Sequence, residues 1–154
     1  MPKIDTSMAP RVEGSDYPSP FDQPCQARLR QRLGDAAGLS QFGVNLLTLS
    51  PGAWSSQLHW HSAEDEFVWV LEGEMVLVTD AGETVLRAGD CAGFPAGAAD
   101  GHHLQNRSDQ PARALEIGSR RPDTDWTEYP GIDLRWSPTE GCIHLDGTRY
   151  DNAP

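Results

Sequence analysis

Two histidines one residue apart, followed by a carboxylate, stand between Gly52 and Gly73: His59, Trp60, His61, then Glu66 after four residues, then Gly73 after six. On a strand the side chains alternate faces, so His59 and His61 point the same way and can close on one ion. The polar stretch Ser62-Ala63-Glu64-Asp65 reads as a turn. It is expected to fold the next run, Phe67 to Leu71, back beside the first as a hairpin and so return Glu66 to the imidazoles. Glu64 and Asp65 lie in the turn itself, where a solvated carboxylate is the ordinary outcome. Further along, Gly89-Asp90 opens a turn, Pro95-Ala96-Gly97 closes a loop, and His102, His103 and Asn106 follow. Adjacent strand residues face opposite ways, so one of His102 and His103 at most can join a site, and His102 shares its parity with Asn106. Imidazole nitrogens with a carboxylate oxygen are a borderline donor set that suits a divalent transition ion.

Together the two groups resemble the paired signature motifs of the cupin superfamily. The first matches in His59-x-His61, Glu66 and Gly73, with Gly52 one residue further upstream than the family pattern. In the second, Ala98 to Gly101 lengthen the loop between Gly97 and His102. The resemblance runs from Phe42 to Ile117. It implies an all-β, cupin-like jelly-roll barrel or sandwich with His59, His61, Glu66 and His102 as ligands of one divalent metal, drawn from Fe, Mn, Co, Ni, Cu or Zn. Such a centre implies an enzyme acting on a small oxygenated or carboxylate-bearing molecule, by dioxygenation, decarboxylation, isomerisation or elimination. One rival is a non-catalytic sensor that binds a small ligand or metal in the same pocket. Another is a metal-free, sugar-modifying cupin, which the presence of His59, His61 and Glu66 disfavours. No general base is identified; a metal-bound hydroxide or an unligated Glu64 would serve. Gln57 has the parity of His59 and is expected to look into the cavity and bind substrate. Asn106 is expected behind the ligands, orienting a histidine or satisfying backbone groups. Trp54 and Phe94 are candidates for the cavity wall, and His144, without partner spacing, reads as a surface residue.

With 154 residues the chain is expected to form one domain. Its 12 basic and 23 acidic side chains give a net charge of −11, and Lys3 is its single lysine. That balance repels phosphate backbones and anionic lipid, so neither nucleic acid nor a membrane is expected as a partner. No apolar run approaches a membrane span and the first residues lack a secretory pattern, so a cytoplasmic location is the expectation. Cys25, Cys91 and Cys142 suit neither a disulfide framework nor a metal knuckle and read as reduced packing thiols.

The 15 glycines and 12 prolines punctuate short apolar runs. Strands are predicted over Phe42–Leu49, Gln57–His61, Phe67–Leu71, Met75–Thr79, Thr84–Arg87, Cys91–Phe94, His102–Asn106 and Arg113–Ile117. They divide the chain into an irregular arm over 1–26, a barrel over 27–118 and a C-terminal arm over 119–154, whose large apolar side chains should wrap the barrel. Ala27 to Leu33 alternates with Arg28, Arg30 and Arg32 on one face. This is either an edge strand whose charges block further pairing or an arginine row that grips an anionic substrate. In register with Glu66, Val68 and Val70 face the site, which leaves Phe67, Trp69 and Leu71 outside. Either the chain's own arm covers them or a second copy does, and the family resemblance points to a homodimer.

Overall fold

Short apolar runs broken by glycine and proline pair as antiparallel strands in the computed structural model, which describes residues 3–150. In chain order they are β1 (Arg11–Glu13), β2 (Arg28–Arg32), a one-turn helix α1 (Leu33–Ala36), β3 (Phe42–Leu49), β4 (Trp60–His61), β5 (Glu66–Glu72), β6 (Glu74–Thr79), β7 (Gly82–Arg87), β8 (Cys91–Phe94), β9 (His102–Gln105), β10 (Ala112–Ser119), β11 (Thr127–Glu128), β12 (Arg135–Ser137) and β13 (Gly141–Ile143). One layer has the order β1-β2-β3-β10-β5-β8. The other combines β7-β6-β9 with β13-β12-β11-β4, which the bridges His59↔His102 and Trp54↔Gln105 join. This is the all-β, antiparallel architecture that the spacing of strands and turns predicts, in the sandwich form that the cupin resemblance implies.

Period-two alternation sets the core. Leu47 and Leu49 of β3, Val68 and Val70 of β5, and Ala112 and Ala114 of β10 point inward and meet Met75, Leu86 and Leu104 of the facing layer. Each fully buried Leu, Val or Met contributes roughly 1.5–3 kcal/mol. At the β5–β6 corner Gly73 takes φ +72°, and a Cβ there would lie 3.1 Å from the Pro111 carbonyl and from Ala112. Glycine at that position therefore answers both backbone conformation and close packing.

Several expectations are corrected. The hairpin between the histidines and Glu66 does not form: β4 pairs with β11, and β5 pairs with β10 and β8. The turn is held by the C-terminal arm instead. Asp125 accepts hydrogen bonds from Ala63 N–H (2.8 Å) and Ser62 Oγ (3.3 Å), and Ser62 N–H reaches the Trp126 carbonyl (3.0 Å). The chain thus crosses from one layer to the other, and Glu66 meets the histidines across the interior. The predicted strand Gln57–His61 shrinks to the His59 bridge and β4.

Nor is β2 an edge strand. It lies between β3 and the short β1, so the edge is closed by a segment of the arm that was expected to be irregular. Its arginines turn inward: Arg28 is buried, donating to the carbonyls of Gly14 and Ser55, and Arg30 forms a bidentate pair with Glu116 of β10 at 2.7 and 2.8 Å.

The C-terminal arm supplies β11 to β13 and a satellite cluster in which Tyr129, Leu134 and Cys142 pack with Tyr17, Phe21 and Trp136. All three cysteines are free; Cys25 and Cys142 are buried as packing residues, but Cys91 is exposed. Because this arm docks on the layer that contains β4, it does not cover the outer face of β5. Phe67, Trp69 and Leu71 remain 37%, 47% and 43% exposed. Among the described residues, no helix is long and apolar enough to cross a membrane.

Candidate metal centre

Three histidines reach Glu66 from the facing layer. Their Nε2 atoms stand 2.9 Å (His102), 3.4 Å (His59) and 3.6 Å (His61) from one oxygen, Glu66 Oε2. Donors bound to one ion at about 2.0–2.2 Å lie roughly 3.0–3.4 Å from one another, so the His59 separation fits an edge of a coordination polyhedron and those of His102 and His61 lie close to one. His59, His61 and Glu66 bring their ligand atoms within 4.8 Å of one another and could hold a metal ion. His102 is not one of these three, but its Nε2 approaches Glu66 Oε2 at 2.9 Å.

The far side of each ring shows how it is aimed. His59 Nδ1 lies 2.9 Å from the Gln57 carbonyl and 3.2 Å from Ser56 Oγ, and His61 Nδ1 lies 2.7 Å from Asp125 Oδ2. A proton held on Nδ1 by those acceptors leaves the Nε2 lone pair facing the site, which is the tautomer a ligand requires. His102 is set by packing: its ring stacks on Phe94 with centroids 3.6 Å apart and planes 1° off parallel, while its buried Nδ1 has no partner among the described residues. Burial pushes the His59 pKa below its ordinary value against the pull of Glu66, which favours the neutral ring. Burial alone would raise Glu66, but its close contacts with His102 and His59 and the field of the nearby imidazoles hold it well below the usual carboxylate range. Neutral imidazoles and an ionised carboxylate are the forms that bind a divalent cation.

The centre lies on the wall of a cavity of about 320 Å³. His59, Glu66 and His102 line it, as do Arg30, Arg32 and Arg120. A smaller cavity of about 60 Å³ lies between His61, Glu66, Phe94 and Pro95. Glu64 borders both, accepting a hydrogen bond from Arg121 N–H; burial raises its carboxyl pKa against that bond.

One expected site residue does something else. Gln57 turns away from the cavity, and its Nε2 donates to the Phe21 carbonyl at 2.7 Å, tying down the N-terminal arm. Asn106 takes the second of its two expected roles, satisfying backbone groups rather than orienting a histidine. Its Nδ2 donates to the carbonyls of Leu49 (2.9 Å) and Gln110 (2.8 Å), and its Oδ1 accepts from Ser108, so it closes the loop before β10. His103 has both ring nitrogens engaged, Nδ1 with the Ser56 carbonyl and Nε2 with Gln105 Nε2, each at 2.9 Å. Trp54 packs edge-on against His103, whereas Phe94 does wall the cavities. His144 stacks on Tyr150 and meets Asp133, away from the centre. Sequence reasoning missed Asp125, for which spacing carries no signal. The alternating arginines were visible, but the side they face was not.

Known proteins resemble the chain at two levels. The Cupin domain profile matches residues 45–118. A sugar phosphate isomerase from a cupin superfamily, of Silicibacter pomeroyi, is 44% identical over 98% of both chains with a TM-score of 0.89. A candidate sugar phosphate isomerase of Acidithiobacillus ferrooxidans is 32% identical over 80% of both chains with a TM-score of 0.71. The polyketide cyclase RemF of Streptomyces resistomycificus, 22% identical over 91% of both chains with a TM-score of 0.65, shares the fold. No curated protein matches the chain. Its motifs, its two antiparallel layers and its likeness to the Silicibacter protein over nearly the whole length place the chain in the cupin superfamily.

Proposed function

We propose that this protein is a mononuclear, metal-dependent isomerase of a phosphorylated sugar, with His59, His61, Glu66 and His102 holding the ion. One observation carries the reading: three imidazole Nε2 atoms surround a single carboxylate oxygen at 2.9 to 3.6 Å on the wall of a cavity sized for a small metabolite. Among the reactions open to such a centre, the likeness to the Silicibacter protein supports isomerisation. A divalent ion held by these residues would supply Lewis acidity to a sugar carbonyl.

The chain's own groups prepare that chemistry. Asp125 and the Gln57 carbonyl keep protons on the Nδ1 atoms of His61 and His59, so that both Nε2 atoms remain donors. Phe94 covers one face of the His102 ring and excludes water from it. Glu64, at the junction of the two cavities, is placed to hold a proton beside the site. Aldose–ketose isomerisation moves protons between neighbouring carbons and oxygens without net oxidation, so no oxidant is required. The test is anaerobic incubation of the metal-loaded protein with a panel of aldose phosphates, followed by NMR. A ketose phosphate should form, disappear on chelation and return with added metal. Consumption of oxygen or release of carbon dioxide would contradict isomerisation, and tight binding without turnover of any member would favour a sensor.

A further inference from the structure

We propose that Arg32 and Arg120 form an anion subsite that takes the substrate's phosphate, reached from the metal centre across a floor of two glycines. The inference rests on the sugar phosphate reading for the identity of the ligand and on separate observations for its place.

The first observation is charge matching. Of the arginines turned inward, Arg28 is satisfied by the Gly14 and Ser55 carbonyls and Arg30 by both oxygens of Glu116. Arg32 and Arg120 share one carboxylate, Asp35. Arg120 takes it through Nη2 while Nη1 donates to the Leu39 carbonyl at 3.0 Å. Arg32 Nη1 stands 3.9 Å from the other Asp35 oxygen, beyond hydrogen-bond range, and its side chain is 50% exposed. Two guanidiniums on one carboxylate leave a positive charge uncompensated, in a chain whose net charge is −11. Free guanidinium donors in a planar fork are suited to phosphate oxygens.

The second observation is the path between the sites. Glu66 pairs with Gly118, and Gly118 with Gly43, so the three lie side by side on neighbouring strands. A Cβ on Gly118 would meet Glu66 Cγ at 3.7 Å, and one on Gly43 would meet Arg120 Nε at 3.6 Å. Neither glycine has a positive φ, so space rather than backbone freedom is what each supplies. Bare backbone therefore runs from Glu66 to Gly43 beside the Arg120 guanidinium, two cross-strand steps of about 4.5–5.5 Å each, or roughly 9–11 Å. An open-chain sugar phosphate can lie along it with its carbonyl at the histidines and its phosphate at the arginines. The cavity is polarised to match, with Glu64 and Glu66 beside the histidines and Arg32 and Arg120 beside α1.

Calorimetry on the metal-loaded protein tests this with ribose 5-phosphate, ribose and inorganic phosphate as probes. Wild type should bind ribose 5-phosphate at least tenfold tighter than ribose. Arg32→Gln should lower affinity for ribose 5-phosphate and for inorganic phosphate at least tenfold, while metal content stays unchanged and ribose affinity stays within twofold. Among the described residues the Arg32 side chain makes no hydrogen bond, so this variant should fold; Arg120→Gln serves as a second variant, its fold checked by circular dichroism because Arg120 also holds the Leu39 carbonyl. Unchanged affinity for both phosphate-bearing probes in Arg32→Gln would overturn the subsite, and continued turnover would leave the isomerase reading standing. Arg32-dependent binding of inorganic phosphate without turnover of any sugar phosphate would keep the subsite and overturn the isomerase. Failure of wild type to bind either phosphate-bearing probe would overturn the subsite.

Discussion

A carboxylate surrounded by imidazoles and a buried imidazole beside a carboxylate both resist protonation here, and this ties the stability of the site to pH. Glu66 is held well below its ordinary value by His102 and His59 despite burial, and His59 is pushed down by burial despite Glu66. In both cases the folded chain binds fewer protons than the unfolded chain as acid is added. The Glu66 contribution is complete above the ordinary carboxylate pKa near 4.3 and is lost as pH falls through the lowered value; the His59 contribution is complete above about 6.5 and is lost as pH falls through its own lowered value. The melting temperature of chelator-treated protein should therefore fall between about pH 7 and about pH 5, and fall less in His59→Gln. A pH-independent melting temperature over that window would contradict the assignment. Asp125 belongs to the same scale. Its carboxylate fixes the His61 ring at 2.7 Å, so Asp125→Ala should weaken metal affinity roughly 10- to 100-fold in competition with a chelator, with Asp125→Asn intermediate. Unchanged affinity in both variants would remove Asp125 from the site.

At the scale of elements, each strand divides its faces between core and function. Leu47 lies on the inner face of β3, fully buried and apart from the cavity lining. Leu47→Ala should destabilise the fold by about 2–5 kcal/mol in denaturant unfolding while metal content is preserved. Loss of metal from the folded variant would mean that core and centre are not separable. The same division explains what could be read from the sequence. Alternation is local, so the inward Val68 and Val70, the outward Phe67, Trp69 and Leu71, and the shared face of His59 and His61 followed from parity. Partners are not local. Ser62 to Asp65 resembled a hairpin turn, yet its course is set by Asp125, far along the chain. Gln57 shares parity with His59, but the Phe21 carbonyl claims its side chain. The arginines of β2 suited an edge strand, and a three-residue β1, too short to leave a pattern, closes that edge instead. Asn106 falls just past the end of β9, where its amide satisfies backbone carbonyls, a role that spacing does not distinguish from orienting a ligand.

For the whole molecule, the uncovered face of the six-stranded layer carries the clearest expectation. Trp69 lies in register with Leu115 and Leu46, and Phe67 with Ile117 and Val44, so apolar side chains run across three strands. At its border Arg113 and Glu72 pair at 3.3 Å, and a face whose charges are already balanced suits a second copy of itself across a two-fold axis. Light scattering should find a dimer, and Trp69→Glu should shift it to monomer by burying an unpaired charge in the interface. A wild-type monomer would contradict this. The central claim, a single metal centre built by His59, His61, Glu66 and His102, is tested most directly by elemental analysis of purified wild type beside His59→Ala/His61→Ala. Wild type should carry close to one transition-metal ion per chain, and the double variant, folded by circular dichroism, should carry essentially none. Full metal content in the folded double variant would place the ion elsewhere and contradict the account.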